Sequence, residues 1–197
     1  SDVKKGPKVK RLSADIVQGD SYGWCMAECP PLLSGRYHWR VIIEEKIGDQ
    51  CFYAGIADAG NVNLNGNDGT IPAGYTFYGA KAVGRSYFLN GTQDNVMLSL
   101  STKGDGWEFT LDFSTRKFKI QQLPNGAIVE FENIKELAAG FTPCVGWQGN
   151  RVKLKIMTFA AEGIENQIAA CTALEFDPSR KGPSVQVTAP LKVEANS

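Results

Sequence analysis

The stretch WEFTLDFSTRKFKIQQLPNGAIVEF, residues 107–131, carries the pattern from which the fold is predicted. Large apolar residues alternate with polar ones from Trp107 to Phe113, again in KFKIQ and again in AIVEF, which is the period of strands with one buried face. Short polar turns separate the three segments, and Pro124 before Asn-Gly supplies the backbone angles that a tight turn requires. The stretch therefore predicts an antiparallel meander.

The same alternation recurs before the meander. In RYHWRVIIEE, residues 36–45, one face carries Tyr37, Trp39, Val41 and Ile43. CFYAGIA, residues 51–57, follows across the short polar link Ile47-Gly48-Asp49, and we expect these two strands to form a hairpin. The large aromatic residues of the alternating strands, Trp39, Trp107, Phe109 and Phe113, are expected in the core.

Little helix is expected beside these strands. ENIKELAAG, residues 132–140, predicts one short helix that ends at its glycine. GIENQIAACTALEF, residues 163–176, is compatible with a second short helix or with a final strand. Many short alternating strands with turn signals between them predict an all-β fold, an antiparallel β-sandwich of two sheets.

The length of 197 residues favours a single domain. Residues 1–11, which include four lysines and an arginine, are expected to be a basic flexible arm. The sandwich domain is expected over residues 12–176, and residues 177–197 are expected to form an extended C-terminal tail. Residues 58–95 are rich in Gly, Asn and aromatic residues, and long loops of this kind tend to carry function.

Charge and cysteine content limit the class of protein. Twenty-one basic residues balance twenty-one acidic ones, which argues against nucleic acid as the main partner. No apolar run approaches the roughly 20 residues that span a bilayer, so no membrane partner is expected. The five cysteines are an odd number spread over a large domain: Cys25, Cys29, Cys51, Cys144 and Cys171. Reduced thiols in a cytoplasmic or nuclear compartment are the expectation.

No pattern in the sequence indicates an active site. His38, the single histidine, stands in the middle of a predicted strand, where we expect a surface or hydrogen-bonded side chain rather than a base. Cys25 and Cys29 lack the second close pair that a structural zinc site needs. The loop NLNGNDGT, residues 63–70, lacks the closing glutamate of a calcium-binding EF-hand. We expect no catalytic residue, no cofactor and no metal.

Four segments resemble the SPRY domain family, in that family's order, over roughly residues 34–158. They are SGRYHWRVIIEE, FYAGIADAG, WEFTLDFSTRKFKIQQLPNG and FTPCVGWQGNRVKLK. The second and fourth are similar to the family's Val-Gly-Val-Ala and closing Tyr-Pro-x-Val strands, while Arg40 stands where the family usually has glutamate. The resemblance implies a bent, jelly-roll type sandwich that acts as a non-catalytic protein-interaction module and binds a short segment of a partner in a pocket at one rim.

The resemblance also implies where that pocket lies. In SPRY proteins with a SOCS box, a Gly-Trp pair in the closing strand lines the pocket, and the matching pair here is Gly146-Trp147. A rim tryptophan offers large contact area and one donor, and glycine beside it lets a partner backbone approach. A tryptophan that simply closes the core is the alternative. Further rim candidates, each with local packing as its alternative, are Tyr22, Trp24, Tyr75, Tyr78 and Arg85.

Two other functions stay open at this stage. Sandwiches of similar shape bind sugars, and NLNGNDG with its neighbouring tyrosines favours a lectin-like module with a carbohydrate partner. The arm KKGPKVKR, residues 4–11, suggests a nucleic-acid contact, whose affinity would fall steeply with salt.

Overall fold

A computed structural model describes residues 9–11, 16–19, 23–46, 51–61, 77–81, 86–89, 92–95, 103–124, 126–148, 152–162 and 175–176. These residues form strands and turns and no helix. The described part of the chain therefore contains no helix that is long and apolar enough to cross a membrane. The strands are β1 (Val9–Arg11), β2 (Ile16–Gly19), β3 (Gly23–Glu28), β4 (Arg36–Lys46), β5 (Cys51–Asp58), β6 (Phe77–Lys81), β7 (Ser86–Leu89), β8 (Thr92–Asn95), β9 (Gly106–Asp112), β10 (Lys117–Leu123), β11 (Ile128–Phe131), β12 (Phe141–Gln148), β13 (Val152–Glu162) and β14 (Glu175–Phe176).

The strands form two antiparallel sheets, so the predicted all-β sandwich is confirmed. Sheet 1 has the order β1-β2-β13-β4-β9-β10-β11, and sheet 2 has the order β14-β3-β12-β5-β6-β7-β8. The meander predicted from residues 107–131 is present as β9, β10 and β11, with Phe118 opposite Leu111 on one side and Phe131 on the other. The end of the predicted basic arm, Val9–Arg11, forms the edge strand of sheet 1.

The hairpin predicted between β4 and β5 is wrong. β4 pairs with β13 and β9 in sheet 1, whereas β5 pairs with β12 and β6 in sheet 2. The chain between them passes from one sheet to the other, and residues 47–50 lie outside the described residues. A short polar link is compatible with both connections, because alternation defines each strand but not its neighbour.

The helix predicted over residues 132–140 is also wrong. Asn133 has φ 53, which is left-handed backbone, and the amide of Ile134 donates to the carbonyl of Arg116 at 3.0 Å. Ile134 is 2% exposed, so the segment buries one apolar side chain against the sandwich instead of forming an isolated helical turn. Of the second candidate segment, residues 163–174 lie outside the described residues, and Glu175–Phe176 pairs with β3 as β14.

Aromatic rings from the two sheets meet in the core. Phe52 of sheet 2 packs edge-on against Trp107 of sheet 1 with ring centroids 5.0 Å apart, and Tyr78 meets Phe131 in the same way at 5.5 Å. The residues expected in the core behave as predicted: Trp39, Trp107 and Phe109 are buried, and Phe113 is partly buried against them. Burial of large aromatic side chains from both sheets holds the sandwich together.

Candidate functional site

The Gly146-Trp147 pair lies where three strands of sheet 2 come to the same end of the sandwich. Gly146 of β12 is opposite Trp24 of β3 and Tyr53 of β5. The next residue, Trp147, is opposite Gly23 and Phe52 in the same two strands. β12 therefore stands between two neighbours at this end, and the backbone of the pair is fixed on both sides.

A second, smaller apolar cluster lies beside this end of the sheet. Its members are Trp24, Met26, Tyr53, Ala57 and Cys144, each between 0% and 4% exposed. Cys25 and Ala27, which alternate with Trp24 and Met26 along β3, belong to the main core instead. Because successive side chains of a strand point to opposite faces, the small cluster occupies the face of sheet 2 that is turned away from the main core.

Two aromatic rings dominate this outer cluster. Trp24 and Tyr53 stack with centroids 5.4 Å apart and an angle of 26° between the rings. Trp24 is 1% exposed and Tyr53 is 3% exposed. Stacked and buried rings of this kind have little rotational freedom, so they form a rigid wall next to the strand ends.

The ring of Trp24 occupies the space above Gly146. A β-carbon added at Gly146 would lie 2.7 Å from Cδ2 and Cε3 of that ring. We had expected this glycine to leave its backbone open to a partner, and the structure shows that the space is filled from within the chain. The absence of a side chain at Gly146 is instead a packing requirement of the outer cluster.

Two predicted rim residues are packed rather than open to solvent. Trp24 belongs to the outer cluster, and Tyr78 is 1% exposed in the main core. The hydroxyl of Tyr78 accepts a hydrogen bond from the amide of Lys135 at 3.1 Å, and its ring contacts Phe131 and Phe141. For both residues the structure shows local packing, which was the alternative to a rim position.

The other predicted site residues stay predictions. Tyr22, Tyr75 and Arg85 lie outside the described residues. The backbone of Trp147 is described but its side chain is not. Both roles considered for Trp147, a residue of the rim pocket or a residue that closes the core, therefore stay predictions.

Sequence reasoning missed Tyr53 and the outer cluster, although a signal was present. In CFYAGIA both alternating sets are apolar or small, with Phe52, Ala54 and Ile56 on one face and Tyr53, Gly55 and Ala57 on the other. A strand that is apolar on both faces is typical of one that is buried on both faces. The pattern therefore predicts that both faces of β5 are covered.

Metal-binding side chains do not come together in the described part of the chain. No three of its His, Cys, Asp and Glu side chains lie close enough to hold one ion. The loop NLNGNDGT, which carries the oxygen-rich pattern, lies outside the described residues.

Solved structures with the same arrangement of strands identify the fold. The SPRY domain of human HERC1 matches with a TM-score of 0.56 and 23% identity, covering 73% of this chain and 88% of that one. The PSpry domain of TRIM65 matches with a TM-score of 0.61 and 12% identity, covering 80% and 88%. The fold is SPRY-like.

The SPRY-like architecture also occurs inside a larger protein. Stonustoxin matches with a TM-score of 0.54 and 11% identity over 80% of this chain, which corresponds to 26% of the toxin chain. No protein-family model matches the sequence, and no curated protein matches it. At these sequence identities the likeness shows the fold alone. A function has to be argued from the residues of this SPRY-like chain itself.

Proposed function

We propose that this chain is a non-catalytic protein-interaction module that binds a short segment of a partner protein in a pocket at the β3–β12–β5 end of sheet 2. The observation that carries the proposal is the position of Trp147. Its backbone lies between Gly23 and Phe52 at the end of a SPRY-like sandwich. SPRY domains have loops at one rim, and loops on a rigid scaffold are the usual place for recognition.

The stacked pair Trp24 and Tyr53 supports this site by holding the strand ends in place. Both rings are buried and in contact, and Trp24 lies on the backbone of Gly146, the residue before Trp147. A recognition residue next to such packing loses little conformational entropy on binding, which favours affinity. In this proposal Trp24 and Gly146 position Trp147, and Trp147 touches the partner.

The charged residues of the described strands support a binding role over a catalytic one. His38, the only histidine of the sequence, lies on sheet 1 with Nδ1 3.4 Å from the hydroxyl of Thr110, longer than the roughly 2.6–3.2 Å at which a base activates a hydroxyl, and with Nε2 3.7 Å from Glu108. Nucleophilic catalysis needs a base in reach of the attacking group. We propose a cytoplasmic or nuclear setting for this module, since Cys25, Cys29 and Cys144 are cysteines outside disulfide bonds.

The test is selection of short peptides from a displayed random library against the purified chain. Affinity for a selected peptide is then measured for Trp147→Ala and Trp147→Phe, with Leu33→Ala as the matched control at a side chain that is 49% exposed. We expect Trp147→Ala to lower affinity about 30-fold or more, as at other buried aromatic hot spots, while leaving the melting temperature within a few degrees.

Three results would count against the proposal. If Trp147→Ala unfolds the chain while the better-packed Trp147→Phe keeps both fold and affinity, Trp147 is a core residue. If no peptide is enriched and a glycan array instead shows binding, the lectin-like alternative holds. If the chain binds nucleic acid with a steep salt dependence, the basic arm of residues 1–11 is the functional part.

A further inference from the structure

A small polar pocket lies on the outer face of sheet 1. Its volume is about 230 Å³, and it is lined by Arg36, Tyr37, His38, Thr110, Ala160 and Glu162. Arg36 begins β4 and is opposite Glu162, which ends β13. The pocket is therefore on the other sheet from Trp147 and close to the opposite end of the sandwich, since the eleven residues of β13 span roughly 30 Å.

The histidine in this pocket is held between two residues of β9. Nδ1 of His38 lies 3.4 Å from the hydroxyl oxygen of Thr110, and Nε2 lies 3.7 Å from a carboxylate oxygen of Glu108. The same oxygen of Glu108 accepts from Nη2 of Arg40 at 2.6 Å. The carboxylate of Glu108 therefore pairs mainly with Arg40. His38 and Thr110 line the pocket, and Glu108 does not.

The arginine at the pocket mouth has only a weak partner. Nη1 of Arg36 is 3.9 Å from Glu162, and the two side chains are 57% and 72% exposed. Exposed pairs at this separation contribute little, so an incoming group can replace Glu162 without a large loss. Arg36 can then offer its planar fork of donors to a carboxylate, the group that this fork fits best.

Thr110 adds a hydroxyl group to the pocket, with its oxygen 3.4 Å from Nδ1 of His38. A hydroxyl can accept and can also donate through its O–H, so this group can turn its proton toward an oxygen bound in the pocket.

We propose that this pocket is a second recognition site that binds a carboxylate group through Arg36, Thr110 and His38. The carboxylate can belong to an acidic side chain or to a chain terminus of a partner, because both present the same two oxygens. Arg36, His38 and Thr110 can donate hydrogen bonds into the pocket, whereas the exposed carboxylate of Glu162 accepts and can turn away. The site therefore fits an anion rather than an amine.

The experiment is an NMR titration of the ¹⁵N-labelled chain with three acetylated tripeptides at pH 7. The probes are acetyl-Ala-Asp-Ala-amide, acetyl-Ala-Ala-Ala with a free carboxylate, and acetyl-Ala-Asn-Ala-amide. We expect shifts at the amides of His38, Thr110 and Ala160 with the two carboxylate probes and none with the asparagine probe.

Variants make the assignment specific. Arg36→Gln should lower affinity for the carboxylate probes about fivefold or more, and Glu162→Gln should raise it about twofold or more, because the competing carboxylate is gone. Lys155→Gln, which deletes one positive charge on the same strand as Glu162 but outside the pocket, is the control and should change nothing.

The outcomes separate this site from the rim pocket. Trp147→Ala should leave the carboxylate titration unchanged, so the two proposals stand or fall independently. Equal shifts with the asparagine probe or an unchanged affinity in Arg36→Gln would overturn the carboxylate site. Comparison of the first two probes shows whether a side chain or a terminus is preferred.

Discussion

The indole ring of Trp24 lies on the backbone of Gly146, so close that a β-carbon there would be 2.7 Å from Cδ2 and Cε3 of the ring. Tyr53 lies in the strand on the other side of Gly146, and its ring stacks against that of Trp24 with the ring centroids 5.4 Å apart. Because all three residues belong to neighbouring strands of sheet 2, this contact couples β3, β12 and β5 next to Trp147.

We expect Gly146→Ala to destabilise the chain. The added methyl group overlaps a buried ring that is 1% exposed, and overpacking of this kind typically costs about 1–3 kcal/mol of unfolding free energy. Urea denaturation followed by tryptophan fluorescence measures the loss.

A double-mutant cycle provides the control for this prediction. Trp24→Leu alone should destabilise the chain by removing a large buried ring, but it also makes room above Gly146. In the Trp24→Leu background Gly146→Ala should therefore cost clearly less than in the wild type, with a coupling of about 1 kcal/mol or more. Additive effects would show that the ring does not restrict position 146.

The same contact shows how far the sequence could lead. Alternation within single strands predicted the sandwich, the meander of β9 to β11 and the buried faces of β4, because side-chain direction follows from the local backbone. It could not assign β4 and β5 to different sheets, since pairing depends on residues far apart in the chain. It also could not show that Trp24 fills the space above Gly146, because that contact joins two strands separated by more than a hundred residues.

Thr142 offers a different test of the packing in β12. It is 0% exposed, and its hydroxyl is one of two buried side-chain groups in the described residues that lack a hydrogen-bond partner. A buried polar group without a partner costs about 1–3 kcal/mol in desolvation. We expect Thr142→Val, which keeps the shape and removes the hydroxyl, to raise the unfolding free energy by about 1 kcal/mol.

Thr142→Ser is the matched variant, because it keeps the hydroxyl and removes the methyl group. It should lower stability by about 1 kcal/mol through lost packing, the opposite sign to Thr142→Val. Chemical denaturation of the wild type, Thr142→Val and Thr142→Ser at one pH measures these differences in unfolding free energy. A loss of stability in Thr142→Val would mean that the hydroxyl has a partner in solution, such as an ordered water.

The carboxyl group of Asp112 predicts how the stability of the fold changes at acidic pH. Hydrogen bonds hold the pKa of its carboxyl below the ordinary value, chiefly the hydroxyl of Ser114, which donates to Oδ1 at 2.7 Å, with the amides of Ser114 and Thr115 adding to it. A lowered pKa in the folded state means that the ionised carboxylate stabilises the fold above the unfolded-state pKa. This contribution is lost as the pH falls through the folded-state pKa.

We therefore expect Asp112→Asn to be less stable than the wild type at pH 7, with a difference that shrinks between about pH 5 and pH 2. Ser114→Ala, which removes the largest of the causes, should show part of the same change. Thermal unfolding at a series of pH values measures both. A difference that stays constant over this range would show that the carboxylate charge plays no part.

The last prediction concerns the reactivity of the cysteines. Burial raises the pKa of the Cys144 thiol strongly, and the neighbouring Cys25 adds to this. Thiolates are the reactive form, and both residues are also shielded from solvent, at 4% and 1% exposure. Cys29 is partly buried in the turn that follows β3, so it is the accessible thiol of these three.

Alkylation with iodoacetamide at pH 8, followed by peptide mapping, should modify Cys29 first under native conditions. Cys25 and Cys144 should react only as fast as the chain unfolds, and in denaturing urea all three should react at similar rates. The Thr142→Val variant should slow labelling of Cys144 further, since a more stable fold opens less often. Native labelling of Cys144 at the rate of Cys29 would mean that the outer cluster of sheet 2 opens locally, and the rigid support inferred for the Gly146-Trp147 end would then be wrong.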